Sequence, residues 1–580
     1  MRDSGGGSEF VTGPGLDQTP MFLKLSASDI DRSRNPMPHR DHLWPARWYR
    51  RSLPWLSAPA IVLWVVLLCL PFALVTIPPL VDLPGHMGAS AIELAGPESL
   101  LARYFSWRWM FALNLGGEVL MKAIGTHFGI IVAGWVSTVL AVALFGGGLL
   151  ATVRALNPRG GYGVAWALLF VFTFPLLTGF LNYILATGLS LCAFAASIRL
   201  EHRPKLRVAM LVVLQPVALI SHAIGGILLP LLIGAYALGR VLDDHEPAIT
   251  EMRRDWHRPH RWRILDPRLA APLRTFVSLV WPLVVSVITI VVWKVLAPGH
   301  GGFNKWRWDQ KAWSFVLTLR DQSLMLDVAT TLMAIIMIVL ARAMGARYSW
   351  SQLLPGLAVF VLFVVIPSDI NGSAFVDMRL LPVAAMLLLG LQDWSAAPPD
   401  RARFVAVSGA VLLGLRLVVT GASFADYAED YKRQLGALGR VPQGSRILAF
   451  VEHSCVEERW RNTRRDHLAS LASIYRQAWV NDNWAVPGLD MLQPKFRPAR
   501  YFTADPSEFV WSPGCQGGRL RSVDTALKRA PIDLVDYVWL IDTGLPKRPD
   551  PRLRIVWQEG RSVLFAVKPL GFSAWTLSQL

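Results

Sequence analysis

From Ala58 to Leu80 the chain reads APAIVLWVVLLCLPFALVTIPPL, with no charged side chain in the run. A helix of about 20 apolar residues crosses the hydrocarbon core of a bilayer. Inside lipid every backbone N–H and C=O must be paired within the protein, so such a run leaves helices as the default fold. Similar runs follow at 129–150, 163–179, 183–199, 206–221, 224–240, 276–297, 325–342, 352–367, 379–393 and 403–422. The pattern predicts a polytopic α-helical membrane protein with about eleven transmembrane helices. Composition agrees: 53% of the 580 residues are hydrophobic and 17% charged, more apolar than a soluble core requires.

The excess of 58 Lys and Arg over 41 Asp and Glu raises the possibility of a nucleic-acid partner. Position argues against one, because the basic residues gather between spans, where they orient a membrane protein. Arg40, Arg47, Arg50 and Arg51 precede the first span and place the N-terminus in the cytoplasm. Arg154 and Arg159, then Arg199, Arg203, Lys205 and Arg207, then Arg253 to Arg274, Arg342 and Arg347, and Arg401 and Arg403 fall in alternate loops. Three regions are expected: a disordered, Gly/Ser/Arg-rich cytoplasmic tail over 1–45, a transmembrane domain over 46–424, and an extracytoplasmic domain over 425–580.

The last region alternates strand and helix signals. Arg446–Val451, Val535–Ile541, Leu553–Trp557 and Val563–Val567 read as strands, and His467–Trp479 has helical spacing. A small α/β cap follows. Cys69 and Cys192 lie in apolar spans, whereas Cys455 and Cys515 both fall in the external region, where oxidation is permitted. A Cys455–Cys515 disulfide is expected.

The outer ends of the spans collect polar side chains. Asp82 and His86 stand in Val81-Asp82-Leu83-Pro84-Gly85-His86, directly after the first span. Arg108 lies between Trp107 and Trp109, Asn182 and Tyr183 at one hairpin tip, and His222 at the next. Lys305, Arg307, Asp377 and Arg379 complete the set. Each has a bland alternative. The tryptophans can anchor at the interface, the basic residues can meet lipid head groups, and Asp377 and Arg379 can pair locally. Asp82 can cap the helix that follows it. A carboxylate on the lip of a membrane cavity is costly, which favours a functional role for it.

Asp82-Leu83-Pro84-Gly85-His86, Gly179-Phe180-Leu181-Asn182-Tyr183, Ser221-His222 and Arg379-Leu380-Leu381-Pro382, with an Asp after a long first span and an external C-terminal domain, resemble the GT-C glycosyltransferases. More closely, the motifs resemble poorly characterised bacterial multi-span proteins in which the first reads D-[YF]-P-N-H-L. Here Leu83 and Gly85 replace the aromatic residue and the Asn, and the paired acidic motif common in GT-C first loops is absent. The resemblance implies an inverting enzyme of the bacterial inner membrane. It would move a sugar from a polyprenyl-phosphate donor to a glycan, lipid or protein acceptor outside the cytoplasm. Asp82 would be the general base. His86, Asn182, Tyr183, His222, Arg108, Lys305, Arg307, Asp377 and Arg379 would bind substrate. No His/Cys cluster has zinc spacing, but Asp82 with Asp369 or Asp377 could hold one divalent cation. Two other classes fit the same residues: a proton-coupled transporter or flippase of an envelope precursor, and a non-catalytic envelope-assembly subunit.

Overall fold

A computed structural model describes residues 54–158, 161–247, 250, 269–296, 304–370, 373–453, 455, 460–485, 490–496, 509–512, 515 and 522–568. The expected tail over 1–45 and the arginines from Arg253 to Arg268 lie outside the described residues. Among the described residues six helices are long and apolar enough to cross a membrane: Ile130–Leu156, Leu181–Arg199, Pro204–Ser221, Ala223–Asp244, Ala270–Leu296 and Pro399–Arg440. Ala58–Leu74, Leu324–Leu340, Trp350–Val365 and Leu380–Gly390 are apolar but shorter.

Burial sorts these helices. Leu181–Arg199 is packed on nearly every side, whereas Ala270–Leu296 presents Val287, Ile288, Val291, Val292 and Val295 outward. Such a bare aliphatic face suits lipid and is costly in water. Buried hydroxyls and amides join the helices: Thr152 Oγ1 donates to Leu191 O at 3.1 Å, Ser190 Oγ to Gly225 O at 2.8 Å, and Gln215 Nε2 to Pro282 O at 3.1 Å. Without a hydrophobic driving force between helices in lipid, such bonds help fix their pairing.

Two of the expected spans differ. The run 163–179 is not one helix but two short ones, Val164–Leu168 and Phe174–Thr178, and is almost wholly buried. It is apolar because it fills the core, and Pro175, lacking an N–H, starts a new helix rather than continuing the first. The first span is helical only to Leu74; Pro78 and Pro79 then keep the chain non-helical up to Asp82.

The expected boundary at 425 falls inside a helix, which runs unbroken from Pro399 to Leu435. Beyond it, β2 (Arg446–His453) is the centre of a six-stranded sheet. It pairs in parallel with β3 (Trp479–Val480), β5 (Phe509–Trp511) and β6 (Tyr537–Ile541). On the far side of β6, β8 (Ser562–Val567) runs antiparallel and pairs with β7 (Leu553–Glu559). β6 is apolar at every position, as a strand covered on both faces should be. The expected helix over 467–479 shrinks to Leu471–Arg476 because Gln477 takes a left-handed conformation, φ 45°, and turns the chain into β3. Cys455 and Cys515 form a disulfide, with Cα atoms 5.6 Å apart.

The sheet and the helices share polar seams. β1 (Phe105–Trp107) pairs antiparallel with β4 (Leu492–Pro494). Deeper down, Asp327 receives Arg416 Nη1 at 2.9 Å on one oxygen; the other accepts the Asp321 N–H at 2.7 Å and the Trp460 indole N–H at 2.9 Å. Arg464, with no exposed surface, pairs with Asp321. These bonds fix the chain just before residues 466 and 467.

Candidate functional site

Asp82 owes its position to a backbone splice. Its N–H donates to Thr178 O at 2.7 Å, and that of Val81 donates to Leu177 O at 3.2 Å. Gly179 makes the splice feasible: its φ of 94° favours glycine, and a Cβ there would sit 2.8 Å from the Asp82 nitrogen. Two of the sequence motifs therefore touch because one turns against the other's backbone. Asp82 is the N-cap of the helix Leu83–Ala95, but its side chain makes no cap bond; His86 N–H bonds to the Asp82 carbonyl instead, at 3.1 Å. The carboxylate has no hydrogen-bond partner among the described residues, and its side chain keeps 17% of its surface open.

Three basic groups act on it: His467, His86 and Arg379. His86 lies one turn along the helix, with Nδ1 3.4 Å from Glu118 Oε1. Asn182 holds Glu118 from the other side, Nδ2 to Oε2 at 2.9 Å, and accepts the Gly117 N–H. Asn182 is thereby spent on fixing the start of the helix Gly116–Phe128.

Arg379 precedes the helix Leu380–Gly390. Its guanidinium lies 3.9 Å from the Phe180 ring centroid, and Nη2 donates to Ala374 O at 3.1 Å. Tyr183, fully buried, holds the Arg379 carbonyl with its hydroxyl at 2.5 Å. Arg379 Nη1 is 3.0 Å from His222 Nε2. His222 Nδ1 accepts the N–H groups of Ile224 and Gly225 at 3.2 and 3.3 Å, capping the helix Ala223–Asp244. That capping leaves the ring proton on Nε2, so two donors face each other. Arg379 Nε also has no partner among the described residues, although the side chain is 6% exposed. A cluster of buried donors short of acceptors suits an anion.

The third group comes from the C-terminal region. His467 Nε2 lies 3.7 Å from Asp82 Oδ1, and its Nδ1 lies 3.0 Å from Asp482 Oδ1. Asp482 Oδ2 accepts the Ser470 N–H at 2.9 Å and its hydroxyl at 3.0 Å. Asn481 anchors this loop to β2, exchanging bonds with the N–H and C=O of Ala449 at 2.7 and 3.1 Å. Trp484 lies between the two histidines, its ring centroid 4.9 Å from His86 and 4.7 Å from His467. Gly85 lies against that indole; a Cβ on it would be 2.8 Å from two ring carbons. Asp466 pairs with His453 Nδ1 at 3.3 Å.

Burial raises the Asp82 pKa, and Asp466 adds to this; His467, His86 and Arg379 oppose it without cancelling it. Burial also works against a charge on His467, but Asp482, Asp82 and Asp466 outweigh it and push its pKa up to about 9. His86 is raised too, Glu118 and Asp82 overcoming burial. Burial lifts the Asp482 carboxyl above its usual range despite the pull of His467 and Ser470.

The structure thus brings Asp82, His86, Asn182, Tyr183, His222 and Arg379 together, with Asn182 and Tyr183 as supports. The other expected site residues have different partners. Asp377 is fully buried and pairs with Lys311 Nζ at 3.0 Å, not with Arg379. Arg307 is exposed and pairs with Asp369 at 2.8 Å. Lys305 is exposed and joins Asp369 through its backbone, and Arg108 is exposed beside the β1–β4 pair. Both partners proposed for Asp82 in a cation site, Asp369 and Asp377, are thus engaged by basic side chains. Among the described residues no group of three or more His, Cys, Asp or Glu could hold a metal. Glu118 belongs to the polar first outer loop that the sequence marks out, and His467 opens a segment that shares in the resemblance without a site role; sequence reasoning missed Asp466, Asp482 and Trp484.

No protein-family model and no curated protein matches the chain. Two solved structures do: ArnT from Cupriavidus metallidurans bound to undecaprenyl phosphate, and the same protein in the apo state. Both are 15% identical to this chain with a TM-score of 0.42, over 88% of this chain and 98% and 97% of theirs. At that identity and score, function has to be argued from the side chains of this chain.

Proposed function

We propose that this protein is a membrane glycosyltransferase of GT-C type that takes its sugar from a polyprenyl-phosphate donor. One observation carries the reading. A largely buried carboxylate with no hydrogen-bond partner among the described residues, Asp82, shares its surroundings with a buried arginine, Arg379, whose Nε has no partner among them. Transfer from a sugar phosphate needs both groups in one site, flanking the sugar: a base for the acceptor hydroxyl and a cation for the leaving phosphate.

In this reaction the acceptor hydroxyl gives its proton to Asp82 as its oxygen attacks the anomeric carbon. The bond from that carbon to the phosphate oxygen breaks on the opposite face, and its electron pair leaves with the phosphate. The sugar is inverted at that carbon, polyprenyl phosphate departs, and Asp82 later loses its proton to water. Arg379 and the Nε2–H of His222 would take the growing phosphate charge. The Trp484 indole, packed against His86 and His467, would give the sugar an apolar face to lie on. The sheet region, extracytoplasmic in this reading, would cover the site and help select the acceptor.

The test is transfer by the full chain in detergent, with radiolabelled polyprenyl-phosphate sugars and membrane-extract acceptors, compared with Asp82→Asn. Removing a general base should lower the rate by roughly 10²–10⁴-fold. An Asp82→Asn protein that folds and keeps its full rate would overturn the assignment.

A further inference from the structure

His467 reaches the site from a part of the chain far from Asp82, and its geometry is more constrained than packing alone requires. Asp482 is held on both sides: Ser470 occupies Oδ2 through its N–H and hydroxyl, and Asn481 locks the loop backbone to β2. The remaining oxygen, Oδ1, faces His467 Nδ1 at 3.0 Å, which places a proton on Nδ1. Nε2 then faces Asp82 Oδ1 at 3.7 Å. A neutral imidazole with its proton on Nδ1 would turn a lone pair toward the carboxylate. Only the doubly protonated ring offers a charge that an ionised Asp82 attracts.

The surrounding charges give the same answer. Four carboxylates, Asp82, Glu118, Asp466 and Asp482, face four basic groups, His86, His453, His467 and Arg379. Glu118 is committed to His86 and Asp466 to His453, while Arg379 is directed at His222 and Ala374. Among the described residues His467 alone makes an ion pair with Asp82. Without it the cluster holds one negative charge too many, and in a buried site the cheapest remedy is a proton on Asp82, whose carboxylate no hydrogen bond among the described residues holds in its charged form.

We propose that His467, held by Asp482, is the positioning residue that keeps Asp82 ionised and turns its Oδ1 away from the acceptor. Asp82 Oδ2 is then the oxygen left to take the proton, and the base is complete only when the C-terminal region is docked. The inference rests on the glycosyltransferase reading for its kinetic consequence, but the ion pair can be tested without turnover.

The first arm is NMR titration of the full chain in detergent with ring-labelled histidine, His467 being assigned by the signal lost in His467→Gln. His467 should stay protonated until about pH 9, and both Asp482→Asn and Asp82→Asn should move its titration downward. A titration near the ordinary 6.5, or one that Asp82→Asn leaves unmoved, would overturn the proposal. The second arm is the pH profile of sugar transfer. In His467→Gln the acid limb should move up by about one to three pH units, with the rate recovered at higher pH. An equal loss at every pH would mean a structural role and would also overturn it. If no donor is turned over at all, the glycosyltransferase reading fails while the NMR arm still decides the ion pair.

Discussion

Asp377 offers a sharp test, because sequence places it among substrate-binding residues while the structure surrounds it with bonds. Its Oδ2 lies 3.0 Å from Lys311 Nζ and accepts the Ser368 hydroxyl at 2.6 Å; Oδ1 accepts the Met378 N–H at 2.8 Å. Lys311 Nζ also donates to Phe363 O at 2.8 Å and Ile366 O at 2.7 Å, and its side chain is 6% exposed. Asp377→Leu would leave that ammonium buried with carbonyls but no counter-charge. Breaking a buried pair from one side costs about 3–5 kcal/mol, or roughly a 10²–10⁴-fold loss in the folding equilibrium. Replacing both partners by apolar residues is often neutral. Asp377→Leu should therefore unfold at clearly lower temperature in detergent, and Lys311→Met with Asp377→Leu should recover much of that loss. The assay is the fraction remaining monodisperse after heating. If Asp377→Leu keeps wild-type stability and loses only activity, the structural reasoning is wrong and Asp377 belongs to the site.

Four shorter predictions follow from the same geometry. Gly179→Ala should disrupt the splice that holds Asp82, lowering transfer at least tenfold in protein that still purifies as a single species; an unchanged rate would show that the splice does not set the base. Gly85→Ala should push the Trp484 indole from its place, read as a shift in tryptophan emission together with weaker donor binding; identical spectra would refute the contact. Arg379→Lys should weaken binding of the polyprenyl phosphate itself by an order of magnitude, since an ammonium cannot stack on Phe180 in the same way; equal affinity would detach Arg379 from the phosphate. The raised pKa of His467 should contribute stability that is full below about pH 6.5 and lost as pH rises through about 9. Thermal stability at pH 6 and pH 10 should accordingly differ less in His467→Gln than in the wild type.

What the sequence made legible was what local spacing encodes. Long apolar runs located most of the helices, and short apolar runs rich in β-branched and aromatic residues located β2, β6, β7 and β8, because lipid and a covered sheet each mark a single stretch of chain. Asp82 with His86, the 179–183 tip and the His222 hairpin were readable for the same reason: each is a short motif at a break between apolar runs. The failures are equally physical. The apolar run at 163–179 carries no mark that separates a core segment from a lipid-facing span. Asp377 is next but one to Arg379 in sequence, yet its partner Lys311 comes from another helix, and no spacing announces a partner across a fold.

The His467–Asp482 pair was hidden for a stronger reason. A histidine in a segment with helical spacing and an aspartate in a loop are unremarkable until β2 brings the loop beside the helix Leu83–Ala95. That assembly divides the work unevenly. The N-terminal half supplies Asp82, His86 and Glu118 at helix starts, where burial works against the charge on Asp82. The C-terminal half supplies the compensating charge on His467, held by Asp482 on a loop bonded to the sheet. A chain with both halves folded but undocked would therefore lack the charge that pairs with Asp82. Weakening the dock far from the site tests this. Tyr104→Phe removes the hydroxyl bond to the Gly444 carbonyl without touching a site residue. If docking sets the charge, this change should raise the acid limb of the transfer profile in the same direction as His467→Gln, by a smaller amount. A fall in rate with no shift along the pH axis would separate docking from charge and refute the division of labour.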